Sequence, residues 1–193
     1  MADWNERYSR REPGTKEPMP LLVRVTEKLK PGRALDLACG AGRHAIFLAE
    51  RGWNVTAVDA SHAGIELAKA TAHERGVEVD WRVADLERFE FEIEAEGYDL
   101  IGDFYYLPHN FFPLIRMGVR PGGIFVAAIH MVDEAPDVKP MNPAFLLKPG
   151  DLRAEFEGWE ILHDYEGRPT EEGHRRRSAE IVARKPNVTS GSV

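Results

Sequence analysis

Residues 34–45 read ALDLACGAGRHA, and this segment constrains the fold of the 193-residue chain more than any other. The apolar run at 33–37 predicts a short strand, and Gly40-Ala41-Gly42 predicts a tight loop after it. Helical spacing of apolar residues over 44–51, followed by Gly52, predicts a helix next. The two loop glycines allow the backbone to approach a ligand closely, and the helix offers its N-terminal N–H groups to that ligand.

Strands and helices continue to alternate along most of the chain. Predicted strands lie at 33–37, 54–58, 77–83, 98–104 and 124–130, and predicted helices lie at 20–30, 44–51, 63–75 and 109–119. This alternation indicates a parallel sheet with helices on both faces, a doubly wound α/β three-layer sandwich. A helix at 151–157 and strands at 159–166 and 175–183 then predict a closing antiparallel hairpin.

Composition and charge exclude several classes of protein. The length favours one domain. The net charge of −7 disfavours nucleic acid and anionic lipid as partners. Cys39 is the only cysteine and the histidines show no metal-ligand spacing, so we expect a reducing, cytoplasmic location and no metal. No secretory signal is apparent, and no apolar run approaches the roughly 20 residues of a membrane helix, so we expect no membrane partner. The sequence leaves the oligomeric state open.

Three acids follow three consecutive predicted strands. Asp36, Asp59 and Asp85 would lie at the carboxyl edge of the sheet, where open α/β sheets bind ligands. Asp36 suits a cationic group better than a pyrophosphate, Asp59 suits a ribose, and Asp85 suits an adenine amino group. Together these acids describe a ligand with an ammonium group, a ribose diol and an adenine.

The glycine loop also fits a second ligand. Gly40, Gly42 and Ala45 satisfy the dinucleotide pattern G-x-G-x-x-A, and Asp59 lies 19 residues after the first glycine. An NAD(P)-dependent oxidoreductase that uses the same loop is therefore an alternative.

Residues 36–42 resemble the glycine motif of the class I S-adenosylmethionine-dependent methyltransferases, with Ala38 in place of the family's first glycine. The resemblance implies S-adenosylmethionine as cofactor, with Asp36 near its methionine end, Asp59 on the ribose hydroxyls and Asp85 with Leu86 at the adenine. It also implies a mainly parallel seven-stranded sheet whose last strand is antiparallel. A domain that binds the cofactor without turnover is a third alternative.

The resemblance covers nearly the whole chain and is strongest to the tellurite-resistance and thiopurine-type methyltransferases. Three stretches carry it: residues 3–8, residues 35–45, and residues 145–159 with 183–185. It implies that the N-terminal segment, with Trp4, Arg7 and Tyr8, forms a lid over the cofactor. The expected parts are an N-terminal lid and helix at 1–30, a methyltransferase domain at 31–186 and a tail at 187–193.

The cofactor site expected from the motifs and the resemblance includes thirteen residues. They are Tyr8, Asp36, Ala38, Gly40, Gly42, His44, Asp59, Ala60, Ser61, Asp85, Leu86, Asp103 and Phe104.

The methyl acceptor is expected to be a small molecule, with a soft or anionic nucleophile as one option. Methyl transfer is an in-line displacement, so the protein must exclude water and hold the nucleophile about 3 Å from the methyl carbon. An alcohol or amine needs a base, whereas a thiolate or chalcogen oxyanion needs none. His130 and Tyr105 follow the fifth and fourth strands and are the candidate catalytic residues.

The run His174-Arg175-Arg176-Arg177 has two interpretations. In the predicted strand, alternate side chains share a face, so one pair could point into the active site and bind an anionic acceptor. The alternative is a solvated charge run.

Overall fold

The computed structural model describes residues 4–10, 16–106, 109–169 and 176–187. Within them the α-helices are α1 (Trp4–Ser9), α2 (Pro20–Thr26), α3 (Arg43–Ala49), α4 (His62–Glu74), α5 (Phe112–Gly118) and α6 (Asp151–Ala154). The strands are β1 (Arg33–Leu37), β2 (Asn54–Asp59), β3 (Asp80–Val83), β4 (Tyr98–Phe104), β5 (Val119–His130), β6 (Glu160–Gly167) and β7 (Ser178–Arg184).

One seven-stranded sheet has the order β3-β2-β1-β4-β5-β7-β6. Strands β1 to β5 pair in parallel, whereas β7 runs antiparallel to both β5 and β6. The predicted fold class is therefore confirmed, including the antiparallel last strand and the C-terminal hairpin.

Helices cover the two faces of the sheet and form two separate cores. Successive side chains of a strand point to opposite faces. In β4, Leu100 packs with the helices α2, α3 and α4 on one face, and Ile101 packs with α5 and α6 on the other. Both residues are fully buried, as expected for a sheet covered on both sides.

Several predicted boundaries differ from the structure. The third strand begins at Asp80 rather than at residue 77, because the Val77 N–H bonds back to Ala72 at the end of α4. The strand predicted at 124–130 begins earlier, at Val119, because Gly122 and Gly123 bond to Lys185 beside the end of β7. The predicted helix at 109–119 is a 3₁₀ turn at His109–Phe111 followed by α5.

Candidate functional site

Strand register brings the expected acids to one edge of the sheet. In the pairing of β1 with β2, Asp36 lies opposite Ala57. In the pairing of β1 with β4, Leu37 lies opposite Asp103. Asp59 is the last residue of β2 and lies opposite Val83, the last residue of β3. The carboxyl ends of β1, β2, β3 and β4 are therefore neighbours, as the sequence predicts.

The loop between β1 and α3 needs its glycines. Gly40 and Gly42 have φ values of +56° and +78°, in the left-handed region. A Cβ atom at Gly40 would collide with the hydroxyl of Tyr8, and a Cβ at Gly42 would lie 2.6 Å from the Trp81 ring. Ala38, which replaces the family's first glycine, also adopts a left-handed conformation, with φ +50°. The backbone at position 38 therefore has the conformation that favours glycine, although the residue is alanine.

Asp36 is buried beneath this loop. Its Oδ2 atom accepts the Ala45 N–H at 3.1 Å, and only 1% of the residue is exposed. Gly42, the N-cap of α3, has no side chain, so Asp36 caps the helix from the neighbouring strand. Burial raises the pKa of the Asp36 carboxyl to about 7, although the Ala45 N–H and the charge of Arg43 lower it.

Asp59 joins the glycine loop to the start of α4. Its Oδ2 accepts the Gly40 N–H at 2.8 Å, and its Oδ1 accepts the Ser61 N–H at 2.7 Å. Burial raises the pKa of Asp59, and these two hydrogen bonds lower it. Ser61 in turn caps α4, because its Oγ accepts the Gly64 N–H at 3.0 Å, while Ala60 is exposed beside it.

Two buried polar atoms near the loop have no hydrogen-bond partner among the described residues. They are His44 Nε2 and Asp103 Oδ1. Burial lowers the pKa of His44 well below its usual value, so the ring is neutral, and it packs 4.1 Å from the Phe104 ring. Burial and the nearby Asp36 raise the pKa of Asp103 well above the usual carboxyl range. Native folds rarely leave such atoms unsatisfied, so both suit contact with a ligand.

Asp85 and Leu86 lie just beyond β3. Asp85 Oδ1 accepts the Glu87 N–H at 2.9 Å and caps the 3₁₀ turn Leu86–Arg88. Its side chain is 38% exposed, whereas Leu86 is buried. An exposed carboxylate beside an apolar side chain is compatible with the predicted adenine contact, which stays a prediction.

Tyr105 and His130 are adjacent at the ends of β4 and β5. Their ring centroids lie 4.7 Å apart, and the Tyr105 N–H donates to Ala128 O at 2.7 Å. Tyr105 has φ +66°, which is a rare conformation for an aromatic residue. Such backbone strain is concentrated at functional sites.

Helix α1 packs beside the glycine loop. Asn5 Oδ1 accepts the Ala63 N–H at 3.0 Å and the Ser61 hydroxyl at 3.2 Å, and thereby contacts the start of α4. Tyr8 reaches Gly40, and burial together with the charge of Asp59 raises the pKa of Tyr8 to about 12. The segment expected to form a lid therefore lies next to the glycine loop and the start of α4. Its function as a lid stays a prediction.

The comparison with known families distinguishes between the two predicted cofactors. Residues 34–123, from β1 through the glycine loop to the first part of β5, match the family model described as "Methyltransferase domain". Over this range the chain is similar to methyltransferases. The match confirms the resemblance to the class I methyltransferases and favours methyl transfer over the nicotinamide alternative.

Individual proteins similar to this chain are also methyltransferases by name. A ubiquinone biosynthesis O-methyltransferase of Methylobacterium sp. (strain 4-46) is 34% identical over 129 residues, covering 63% of this chain and 46% of that protein. A 2-heptyl-1-hydroxyquinolin-4(1H)-one methyltransferase of Mycobacteroides abscessus is 39% identical over 85 residues, covering 43% and 35%. The chain spans less than half the length of these curated relatives. The crystal structure of TehB from Haemophilus influenzae has the same fold, with a TM-score of 0.73 and 23% identity over 94% of this chain and 67% of that one.

Sequence reasoning missed Asn5, which lies at the candidate site. It placed Tyr106 beside Tyr105 after the fourth strand, and Tyr106 lies at the site as well. Asn5 could have been found only as part of the N-terminal motif. Tyr106 directly follows Tyr105, and the Asp103 carboxyl accepts its N–H. Burial and the charges of Glu87, Asp103, Asp85 and Asp59 raise the pKa of the Tyr106 phenol, which places that phenol among the acids of the sheet edge.

The arginine run does not have the predicted strand geometry. β7 begins at Ser178, so Arg176 and Arg177 precede the strand, while His174 and Arg175 lie outside the described residues. The Arg176 guanidinium is buried and donates to Met131 O at 3.4 Å and to Lys139 O. The Arg176 guanidinium therefore already donates to backbone carbonyls of the loop residues that pack around it.

Two absences hold for residues 4–10, 16–106, 109–169 and 176–187. These residues contain no group of three or more His, Cys, Asp and Glu side chains that could hold a metal ion. None of their helices has the length and apolar character needed to cross a membrane.

Proposed function

We propose that this chain is an S-adenosylmethionine-dependent methyltransferase that acts on a small molecule. The observation that carries the proposal is the pair of buried, unpartnered atoms, His44 Nε2 and Asp103 Oδ1, beside a glycine loop held by Asp59. A methionine ammonium would donate to the Asp103 oxygen, and a methionine carboxylate would accept a hydrogen bond from Nε2–H of the neutral His44 ring.

The charges of the site support this cofactor over a dinucleotide. The carboxyls of Asp36, Asp59, Asp85 and Asp103 lie around the ends of four neighbouring strands. A sulfonium and an ammonium favour the ionised forms of these carboxyls and are attracted to them, whereas a pyrophosphate is repelled. Asp59 would hold the ribose hydroxyls, and Asp85 with Leu86 would hold the adenine. The cofactor, when bound, supplies an electrophilic methyl group.

The acceptor would enter beside Tyr105 and His130. The half-buried His130 imidazole at the end of β5 suits an acceptor that must lose a proton, such as a hydroxyl. The two curated relatives are named for O-methylation in ubiquinone biosynthesis and for a hydroxyquinolone, which supports the same class. A soft anionic nucleophile, such as a thiolate or chalcogen oxyanion, would not need this base.

Cofactor choice is tested by thermal shift. S-adenosylhomocysteine at about 100 times its Kd should stabilise the protein by about 2.7 kcal/mol, which raises Tm by about 5–10 °C for a chain of this size. NADH and NADPH should leave Tm unchanged. Stabilisation by the nicotinamides alone would overturn the proposal.

Acceptor choice is tested by transfer of a labelled methyl group to catechol, thiophenol and tellurite. With catechol, we expect His130→Gln to lower kcat about 100-fold or more, because general base catalysis contributes 10²–10⁴-fold. With thiophenol above its pKa, the same variant should stay within about threefold of wild type. Stabilisation by S-adenosylhomocysteine without turnover of any acceptor would instead indicate a binding domain.

We also propose a cytoplasmic location and no nucleic-acid partner. A single buried Cys39 thiol suits a reducing compartment, and the net charge of −7 opposes polyanion binding.

A further inference from the structure

The loop that follows β5 is closed at its base by hydrogen bonds on both sides of Met131. Its two ends meet because the Leu147 N–H donates to His130 O at 3.0 Å and the Val132 N–H donates to Leu147 O at 2.9 Å. Between these ends, residues 133–146 form an arch, which we call the acceptor loop. The arch therefore begins and ends next to the backbone of His130.

A buried arginine holds this acceptor loop at two places. Arg176 is 8% exposed, and its guanidinium donates to Met131 O at 3.4 Å, at the base of the loop, two residues before it begins. It also donates to Lys139 O near the middle of the arch. One side chain from the segment before β7 therefore fixes both the base and the middle of the loop. Burying a guanidinium costs free energy unless its donors are satisfied, so loss of either carbonyl is unfavourable.

Asp133 strengthens the same attachment. Its Oδ2 accepts the Arg177 N–H at 3.0 Å and its Oδ1 accepts the Ala135 N–H at 3.2 Å. These hydrogen bonds, with the nearby charges of Arg168 and Arg176, lower the pKa of Asp133. The loop is thus attached through a carboxylate of its own as well as through its carbonyls.

We propose that Arg176 is a positioning residue that orders the acceptor loop beside His130 and thereby sets the affinity and selectivity for the methyl acceptor. The functional half of this proposal rests on the proposed methyltransferase activity. Arg176 acts through the loop backbone and does not touch the acceptor. The proposal also explains why Arg176, in the charged run 174–177, is buried.

The matched variants are Arg176→Gln and Arg177→Gln. Each removes one positive charge, but the contact of Arg177 with the loop runs through its backbone N–H, which the substitution keeps. Arg176→Lys keeps the charge and can reach only one of the two carbonyls, so it should behave as an intermediate.

Hydrogen exchange of the full chain bound to S-adenosylhomocysteine, or free if none binds, measures loop order directly. We expect Arg176→Gln to speed exchange at the Ala135 and Val138 amides at least tenfold, with residues 123–130 of β5 unchanged and Arg177→Gln like wild type. Equal exchange in Arg176→Gln and wild type would overturn the proposal. If Arg176→Gln does not melt cooperatively, Arg176→Lys is measured in its place. We then expect exchange at the Ala135 and Val138 amides to be at least threefold faster than in wild type, and an unchanged exchange rate would contradict the proposal.

Kinetics separate positioning from general damage. With the acceptor that the wild type methylates fastest, Arg176→Gln should raise KM at least fivefold, keep kcat within threefold and keep the Kd for S-adenosylhomocysteine within twofold. A Kd that rises as much as KM would overturn the positioning role. If the wild type does not bind S-adenosylhomocysteine, the proposed function is overturned. The exchange experiment then still tests whether Arg176 orders the acceptor loop.

Discussion

At the scale of single residues, two non-glycine positions in the left-handed region mark the site. Ala38 and Tyr105 have φ values of +50° and +66°, at the ends of β1 and β4. Left-handed backbone costs an L-residue about 1–2 kcal/mol, which the surrounding structure must supply. The sequence could predict that Ala38 replaces a glycine, but it could not predict the strain at Tyr105, because that depends on pairing with Ala128.

Substitutions at Ala38 should follow this backbone conformation. Ala38→Gly relieves the strain but adds unfolded-state entropy, so its free energy of unfolding should stay within about 1 kcal/mol of wild type. Ala38→Val places a β-branched side chain at φ +50° and should lose about 2 kcal/mol. Urea unfolding measures both. A valine variant as stable as the glycine variant would contradict the account.

Asp36 should make stability depend on pH. Its pKa is about 7 in the folded protein and about 4 when unfolded, so the folded state holds the proton more tightly. Asp36 therefore makes its full contribution to the free energy of unfolding below about pH 4. That contribution falls as the pH rises to 7, and the total loss is at most about 4 kcal/mol. Asp36→Asn should abolish this part of the dependence in urea unfolding at pH 4–8. The exposed Asp80→Asn is the control, and equal pH profiles for wild type and Asp36→Asn would contradict the prediction.

At the scale of elements, distant side chains cap the two helices that border the site. Asp36 caps α3 from nine residues away, and Asn5 bonds to the first turn of α4 from 58 residues away. Most strands were predictable because apolar runs and turn residues are local signals. These caps were not, because only the folded sheet and the docking of α1 bring the partners together.

Loss of the Asn5 contact should loosen α1. Asn5→Ala removes hydrogen bonds worth about 1 kcal/mol, so the undocked population and tryptic cleavage after Arg7 should rise about fivefold. Asn5→Asp keeps an acceptor at the positive end of α4 and should be cleaved like wild type. Cleavage of Asn5→Ala at the wild-type rate would show that this contact does not dock α1.

At the scale of the whole molecule, the sheet topology gathers charges that are far apart in sequence. Strands β3, β2, β1 and β4 are neighbours, so the acids that follow or end them share one edge. The sequence predicted this edge because parallel strands present their carboxyl ends together. It did not predict the acceptor side, because the packing of Arg176 against residues 131–139 is a tertiary contact between segments with no local signal.

Calorimetric titration with S-adenosylhomocysteine tests the central claim, that this edge binds the adenosyl amino acid, most directly. The wild type should bind one molecule per chain, Asp59→Asn should bind at least tenfold more weakly, and Asp80→Asn, which removes an acid from the opposite edge, should bind like wild type. Equal affinities for wild type and Asp59→Asn, or binding of NADH in place of S-adenosylhomocysteine, would contradict it.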